Sequence, residues 1–194
     1  MPAVATRERL IQVAHLAFYQ HGFQAVGLDR ILSEVGVTKT TFYKYFAGKD
    51  DLIVAVLQHH DAWWLETLPS LLRAHAGDDP QAQLRSLFDV LADTIARDEF
   101  RGCIFHNVAV EFPLPTDPAH RAAVANKRAV ERFMTDLADQ AGAAEPRALA
   151  EELGLLMEGL FVVRAVDRDN QGAFAAARRT AALLFDKYLP PVAV

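Results

Sequence analysis

Apolar residues recur every three or four positions along most of this chain, and glycines and prolines separate the stretches in which they do so. The first stretch places Leu10, Val13, Ala14 and Ala17 on one face and ends at Gly22. A period near 3.6 residues is that of an α-helix, whereas strands alternate every second residue. The sequence therefore predicts an all-α fold. The predicted helices cover residues of about 6–21, 28–35, 39–46, 50–69, 80–91, 102–112, 118–141, 146–169 and 171–188.

Two places in this pattern leave an alternative. The stretch Gly102–Phe112 contains apolar runs that also suit a strand, but no second run of this kind exists to pair with it. We therefore predict a helix there. Pro69 is expected to kink or end the long helix that begins near Asp50.

The charge of the chain is unevenly distributed. Its net charge is −5 over 194 residues, which argues superficially against a nucleic-acid partner. The first 50 residues nevertheless hold six basic and four acidic residues, and no acid lies between Val37 and Lys49. This window contains three lysines and three threonines, so it is the part of the chain best suited to face phosphate.

Cysteine content and the N-terminal residues indicate a compartment. The single cysteine cannot form a disulfide within the chain, and the N-terminus lacks the uninterrupted apolar stretch of a signal peptide. The longest uncharged stretch, Leu10–Leu28, contains glutamine and histidine side chains that are costly to bury in hydrocarbon. We expect a cytoplasmic protein without a membrane-spanning segment.

Residues 28–46 predict a helix-turn-helix, in which two short helices are joined by a turn that contains Gly36. Gly36 can adopt the positive φ that ends the first helix, and Thr38 can cap the second. Phe42 and Phe46 lie about one turn apart, so both are expected to bury against the first helix. Hydroxyls, methyl groups and a cation then face outward, where they can contact bases and phosphates. These outward residues are Thr40, Thr41, Tyr43 and Lys44.

An amphipathic helix with a solvated face would fit the same pattern, because helix-turn-helix geometry also occurs in bundles that bind nothing. A more specific signal is the string Gly-Val-Thr-Lys-Thr-Thr-Phe-Tyr-Lys-Tyr-Phe over Gly36–Phe46, followed by Lys-Asp-Asp-Leu over Lys49–Leu52. Together with the Gly22-Phe23 that ends the first helix, these residues resemble the signature of TetR-family transcriptional regulators. The resemblance is good from about Thr6 to Leu57.

This resemblance implies an N-terminal helix-turn-helix DNA-binding domain over residues 1–48 and a helical effector-binding and dimerisation domain over residues 49–194. It also implies a homodimer that binds a palindromic operator in double-stranded DNA, and a small effector, largely apolar, that releases this repressor. The positions at which such proteins touch DNA correspond here to Lys39, Thr40, Thr41, Tyr43, Tyr45 and Lys49, with Lys44 near the phosphates.

An effector site is predicted among the helices from about Leu52 to Phe161. His106, Asn107 and Glu111 interrupt a strongly apolar segment, as polar groups that line ligand pockets often do. Polar residues that face solvent or cap a neighbouring helix would give the same pattern. A buried Glu111 would favour a cationic or hydrogen-bond-donating ligand. The candidate pocket walls are Trp64, Phe105, Met157 and Phe161.

The last two long helices carry more apolar residues than one core-facing stripe requires, and small alanines allow close helix approach. One stripe can serve the chain's own core, so the excess apolar surface is what supports an interface between two copies. The predicted interface residues are Leu153, Leu156, Leu160, Ala177, Ala181 and Leu184.

Two weaker signals favour plain structural roles. Adjacent His59 and His60 would point about 100° apart on a helix, so together with Asp61 they are expected on a solvated face rather than around a metal. Cys103 is expected to be a small buried hydrophobe, with oxidation sensing as the alternative.

Catalytic motifs are not recognisable in the sequence, and we expect no enzyme activity, no cofactor and no metal. Two alternatives to an effector-controlled regulator stay open. One is a helix-turn-helix protein that binds DNA without an effector, and the other, less well supported, is a helical enzyme.

Overall fold

The computed structural model describes residues 3–191, which form nine α-helices and no strand. The predicted all-α fold is therefore confirmed. The helices are α1 (Ala3–His21), α2 (Leu28–Val35), α3 (Lys39–Phe42), α4 (Lys49–Ala76), α5 (Pro80–Ile95), α6 (Ile104–Glu111), α7 (Pro118–Gln140), α8 (Pro146–Val166) and α9 (Gln171–Tyr188). Within the described residues, no helix is both long enough and apolar enough to span a membrane.

Two compact units divide the described chain. The first unit comprises the chain up to Trp63 together with Ile104–Asn126. It thus contains α1, α2, α3, the beginning of α4, α6 and the beginning of α7. Large apolar side chains, among them Phe18, Phe23 and Phe42, are fully buried in its interior. The predicted domain boundary after residue 48 stays a prediction, and these units group α6 with the N-terminal helices.

The second unit comprises Trp64–Cys103 and the chain from Lys127 onward. Its core contains side chains of α5, α7, α8 and α9, with Leu87, Leu153 and Phe185 almost fully buried. Burying a side chain of this size contributes about 1.5–3 kcal/mol relative to leaving it in water. The 3.6-residue period of the sequence is thus explained by helices that each turn an apolar stripe toward a shared core.

Both uncertain stretches are helical. α6 covers most of the segment that also suited a strand, and its residues Ile104, Phe105 and Val108 are buried. α4 does not end at Pro69 but continues to Ala76. Pro69 lacks a main-chain N–H, so α4 loses one hydrogen bond at this position. In the same turn the Ser70 hydroxyl adds a hydrogen bond to the Glu66 carbonyl, at 2.7 Å.

Candidate nucleic-acid interface

Gly36 builds the turn between α2 and α3. Its φ of 76° lies in the left-handed region, where glycine has no Cβ to clash. The N–H groups of Gly36 and Val37 both donate to the Leu32 carbonyl, at 2.9 and 3.0 Å, and so end α2. The predicted role of Gly36 is confirmed.

Thr38 caps α3, as predicted. Its Oγ1 accepts a hydrogen bond from the Thr41 N–H at 3.2 Å. The helix itself covers only Lys39–Phe42, and a turn follows in which the Tyr45 N–H donates to the Phe42 carbonyl at 2.9 Å. The predicted helix end near Phe46 is therefore too late, because bonds three residues apart tighten the chain after Phe42.

Phe42 and Phe46 determine which side of α3 faces outward. Both are buried, with ring centroids 5.5 Å apart, as predicted. Their burial leaves Thr40, Tyr43 and Lys44 exposed, and the Tyr43 side chain is 58% exposed. Thr41 and Tyr45 are half-buried. The outer side of α3 and of the turn after it thus carries two hydroxyl side chains and a lysine, which can donate and accept hydrogen bonds at base edges and phosphates.

Lys39 already has a partner. Its Nζ lies 2.8 Å from Asp29 Oδ1, and both side chains are exposed. The hydrogen bond to Asp29, and then its negative charge, raise the pKa of Lys39 above its ordinary value. Since an exposed ion pair contributes about 0–1 kcal/mol, a phosphate can replace Asp29 at little cost.

Lys49 and Arg7 have roles that the sequence did not reveal. Lys49 Nζ donates to the Gln24 carbonyl at 3.2 Å and lies 6.0 Å from the centroid of the Phe18 ring. It thereby ties the start of α4 to the turn after α1. Arg7 stands with its guanidinium carbon 5.4 Å from the centroid of the Phe46 ring. In the sequence, the only indication that Arg7 is an additional cation near α3 is the excess of basic residues among the first 50.

Glu111 caps the turn between α1 and α2. Its carboxylate accepts hydrogen bonds from the Phe23 N–H at 3.0 Å and the Gln24 N–H at 2.7 Å. Its carbonyl accepts from Gln24 Nε2 at 2.6 Å. Gly22 has a φ of 90°, and a Cβ there would lie 3.3 Å from Glu111 Oε1, so the turn requires glycine for two reasons. The capping alternative is therefore the observed one, and this carboxylate already has its partners.

The seven predicted effector-binding residues do not form one cluster within either unit. Four lie on α6 in the first unit, and three lie in the second. On α6, Phe105 is buried with its ring centroid 5.6 Å from that of His60, whereas His106 is exposed and Asn107 half-buried. In the second unit, Met157 and Phe161 are buried in the core, and Trp64 is partly buried against it.

The predicted interface residues on α8 and α9 face the core of their own unit. Leu153, Leu160, Ala177 and Ala181 are at most 7% exposed, and Leu156 and Leu184 are half-buried. A buried side chain has no surface to offer a partner, so the structure corrects the assignment of these four residues, whereas Leu156 and Leu184 stay predicted interface residues. The large apolar residues that are exposed on the two helices are Leu155, Val162, Val166 and Leu183.

His60 and Asp61 do not lie on a solvated face, contrary to the prediction. His60 Nδ1 lies 3.1 Å from His15 Nε2, and Asp61 accepts a hydrogen bond from Asn126 Nδ2 at 2.7 Å. Burial, and then the charges of His15 and His59, lower the pKa of His60 to about 4. Among the described side chains, no group of three or more is arranged to hold a metal ion.

Cys103 packs against the core of the second unit, as expected of a small hydrophobe, but it is half-buried rather than fully buried. Its Sγ accepts a hydrogen bond from Lys127 Nζ at 3.3 Å. Lys127 also pairs with Glu158. Cys103 and Glu158 lie 24 and 31 residues from Lys127 in the sequence, a separation at which no local pattern could reveal either contact.

Comparisons with known proteins agree with this geometry. Residues 10–56 match the family model described as "Bacterial regulatory proteins, tetR family". The crystal structure of SCO4454, a TetR-family transcriptional regulator from Streptomyces coelicolor, is similar with a TM-score of 0.81 and 30% identity over 94% of this chain and 95% of that chain. Transcriptional regulator AcuR from Cereibacter sphaeroides is 27% identical over 82% of this chain and 76% of its own. The HTH-type transcriptional repressor NemR from Escherichia coli is 29% identical over 55% of this chain and 53% of its own.

Proposed function

The chain belongs to the TetR family of bacterial transcriptional regulators, and we propose that it is a repressor that binds a palindromic operator as a homodimer and is released by a small effector. DNA-binding regulation of transcription is the property of the family. The proposed direction, repression, follows the relative NemR, which is named as a repressor, whereas the relative FasR is named as an activator. The family consists of regulators and not of enzymes, which disfavours the enzymatic alternative.

The observation that carries the DNA-binding proposal is the outer face formed by α3 and the turn after it. Thr40, Tyr43 and Lys44 are exposed there because Phe42 and Phe46 are buried on the opposite side. A face of this kind fits a major groove, where its hydroxyl and ammonium groups can reach base edges and phosphates. In a homodimer, two such helices would enter successive major grooves about 34 Å apart.

Fluorescence anisotropy tests this proposal, with labelled duplexes taken from the regions that flank the protein's own gene. Thr40→Ala should weaken binding to the cognate duplex by about 5-fold to 150-fold, as the loss of one base contact does. Lys44→Ala should weaken binding to every duplex and lower the salt slope by about one. Ser33→Ala, an exposed hydroxyl on α2, is the matched control and should bind normally. Absence of any palindrome preference would contradict the proposal.

The homodimer proposal rests on the outer face of α8 and α9. Leu155 is 76% exposed and Leu183 is 69% exposed, with Val162 and Val166 also on the surface. Gly159, one turn after Leu155, is exposed and allows close approach of a second helix. Single exposed leucines are ordinary, but several on adjacent helices of a family whose members dimerise support an interface between two copies.

Sedimentation velocity tests the interface. Leu155→Glu and Leu183→Glu each place a charge on the proposed contact, and we expect both variants to sediment as monomers. Leu114→Glu changes a similarly exposed leucine outside these two helices and should stay dimeric. Dimers that persist in both α8 and α9 variants would place the contact elsewhere.

We propose that α6 connects the effector to the helix-turn-helix. The carboxylate of Glu111, the last residue of α6, accepts hydrogen bonds from the Phe23 and Gln24 main-chain N–H groups, and Lys49 donates one to the Gln24 carbonyl. A movement of α6 would therefore change the position of the α1–α2 turn. An effector that binds more tightly to the conformation with α6 displaced would lower operator affinity. The largest possible decrease equals the ratio of the effector's affinities for the two conformations.

Glu111→Gln tests this connection. The glutamine side chain has only one oxygen, so it cannot accept hydrogen bonds from both main-chain N–H groups as the two carboxylate oxygens do. Because the α1–α2 turn is then held less firmly, we expect operator affinity to fall by about fivefold or more without any effector. Circular dichroism should show an unchanged helix content. Glu66→Gln, an exposed glutamate on α4, is the control and should bind as the parent does. Unchanged affinity in Glu111→Gln would contradict the connection.

A further inference from the structure

Arg164 lies on α8 inside the second unit and is only 6% exposed. Its Nε donates to the Ile95 carbonyl at 3.1 Å, and its Nη2 donates to the Ala96 carbonyl at 2.9 Å. These carbonyls stand at the end of α5, where main-chain acceptors have no partner within the helix. Two of the three guanidinium nitrogens therefore cap α5.

The third nitrogen, Nη1, is buried and has no hydrogen-bond partner. None of the ion pairs formed within residues 3–191 involves Arg164. Asp98 and Glu99, the acids that follow α5 in the chain, are exposed. A buried charged donor without an acceptor is costly, so this guanidinium has a charge and a nitrogen left for an external acceptor.

The surroundings of Arg164 on α8 are apolar. Met157, Leu160 and Phe161 precede it by seven, four and three residues, on the same face of the helix, and all three are buried. The Phe100 ring lies 5.9 Å from the Phe161 ring, measured between centroids. A ligand that suits this region therefore needs an apolar body as well as a negatively charged acceptor.

We propose that Arg164 binds the carboxylate of a small, monoanionic effector whose apolar part lies against Phe100 and Phe161. One guanidinium balances one negative charge, and its planar donors match a carboxylate. A phosphate dianion would leave a second charge uncompensated in an apolar setting. The inference deepens the proposed function and rests on it for the regulatory consequence, but carboxylate binding itself can be measured separately.

The site also has a route to the helix-turn-helix along the chain. A ligand on Arg164 lies beside the end of α5, and residues 96–103 lead from there directly to α6. The last residue of α6, Glu111, holds the turn between α1 and α2. The sequence suggested a cationic ligand that would pair with Glu111, but the Glu111 carboxylate already accepts hydrogen bonds from two main-chain N–H groups. A ligand that binds Arg164 carries the opposite, negative charge.

Isothermal titration of the full chain with propionate, butyrate and hexanoate tests the proposal. The matching neutral amides, propionamide, butyramide and hexanamide, are the control ligands. We expect at least one carboxylate to bind, and its amide to bind about tenfold to hundredfold more weakly, as the loss of a charge-assisted hydrogen bond predicts. Equal binding of acid and amide, or no binding of any acid, would overturn the proposal and leave Arg164 as a cap of α5 only.

Two variants locate the site. Arg164→Lys keeps the charge but loses the planar donors, and should weaken carboxylate binding about tenfold or more. Arg178→Lys, an exposed arginine of α9 paired with Asp89, is the matched control and should bind as the parent does. Phe100→Ala should weaken hexanoate more than propionate, and it decides the question if Arg164→Lys does not fold. Parent-like binding in a folded Arg164→Lys, or hexanoate binding unaffected by Phe100→Ala, would overturn the assignment.

Operator anisotropy in the same samples separates this inference from the proposed function. Operator binding without carboxylate binding overturns the carboxylate site and leaves the repressor proposal standing. Carboxylate binding with unchanged operator affinity supports the site and contradicts release by this ligand. Carboxylate binding that lowers operator affinity supports both.

Discussion

α3 and α8 carry their apolar residues in different ways. α3 and the turn after it have one buried face, formed by Phe42 and Phe46, and everything opposite is polar. α8 is apolar on two faces, so that Leu153 is fully buried while Leu155, two residues later, is 76% exposed. A helix with one apolar stripe buries it in only one orientation. A helix with two stripes buries a similar area either way, so the neighbouring helices decide which stripe faces the core.

The largest effect is expected at the buried face of α3. Phe42→Ala removes a fully buried ring and should lower the free energy of unfolding by about 3–5 kcal/mol, measured by urea unfolding under circular dichroism. Tyr43→Ala, its exposed neighbour, should change the free energy of unfolding by no more than about 0.5 kcal/mol and instead weaken operator binding. Similar losses of stability in both variants would mean that α3 does not have one buried face.

α8 should show the same contrast within one helix that is apolar on both sides. Leu153→Ala should cost about 2–5 kcal/mol of unfolding free energy, because the cavity forms inside the core of the second unit. Leu155→Ala should leave the unfolding of the monomer nearly unchanged and reduce only the concentration-dependent stability that a dimer adds. Urea unfolding at several protein concentrations measures both quantities. A larger monomer effect from Leu155→Ala would reverse the assignment of the two faces.

His60, a half-buried histidine of α4, extends the comparison from apolar to polar residues. The unfolded chain takes up the His60 proton below about pH 6.5, whereas the folded chain takes it up only near pH 4, the lowered pKa of His60. Between these values the unfolded state holds more protons, so stability is complete above pH 6.5 and falls as the pH approaches 4. The loss attributable to this group is at most about 3 kcal/mol.

Thermal unfolding of the parent and two variants between about pH 7.5 and pH 4.5 measures this loss. The range extends about two pH units below the ordinary histidine pKa. His60→Leu should unfold with a weaker dependence on pH. His59→Gln, which alters the exposed neighbour, should retain most of the parent's dependence. A parent-like pH profile in His60→Leu would show that another group is responsible.

The smallest effect is expected at the start of the helix-turn-helix. Gly27 precedes α2 with a φ of −75° and a ψ of 147°, and it provides no side-chain cap. A Cβ there meets nothing within 4 Å, so Gly27→Ser should raise the free energy of unfolding by about 0.3–1 kcal/mol. Gly36→Ser, where φ is 76°, should instead lower it by about 1 kcal/mol. Opposite signs at the two glycines would confirm that backbone conformation, rather than residue type, decides the outcome.

The parts of the molecule that could be predicted from the sequence are local. The helical fold, Gly36 in the turn, Thr38 as a cap and the burial of Phe42 and Phe46 all depend on spacings within one or two helical turns. Backbone preferences and side-chain direction act over the same range, so the sequence alone specifies them.

Contacts between distant parts of the chain were decided only by the tertiary structure. Glu111 and Phe23 lie 88 residues apart, and nothing near either residue indicates that the carboxylate caps the α1–α2 turn. The same holds for Arg164, which in the sequence is an ordinary arginine at the end of a helix but is buried against the end of α5, 69 residues earlier. Helical periodicity gives each helix its faces. It does not say which helix lies against which face, because that choice depends on how all the helices pack at once.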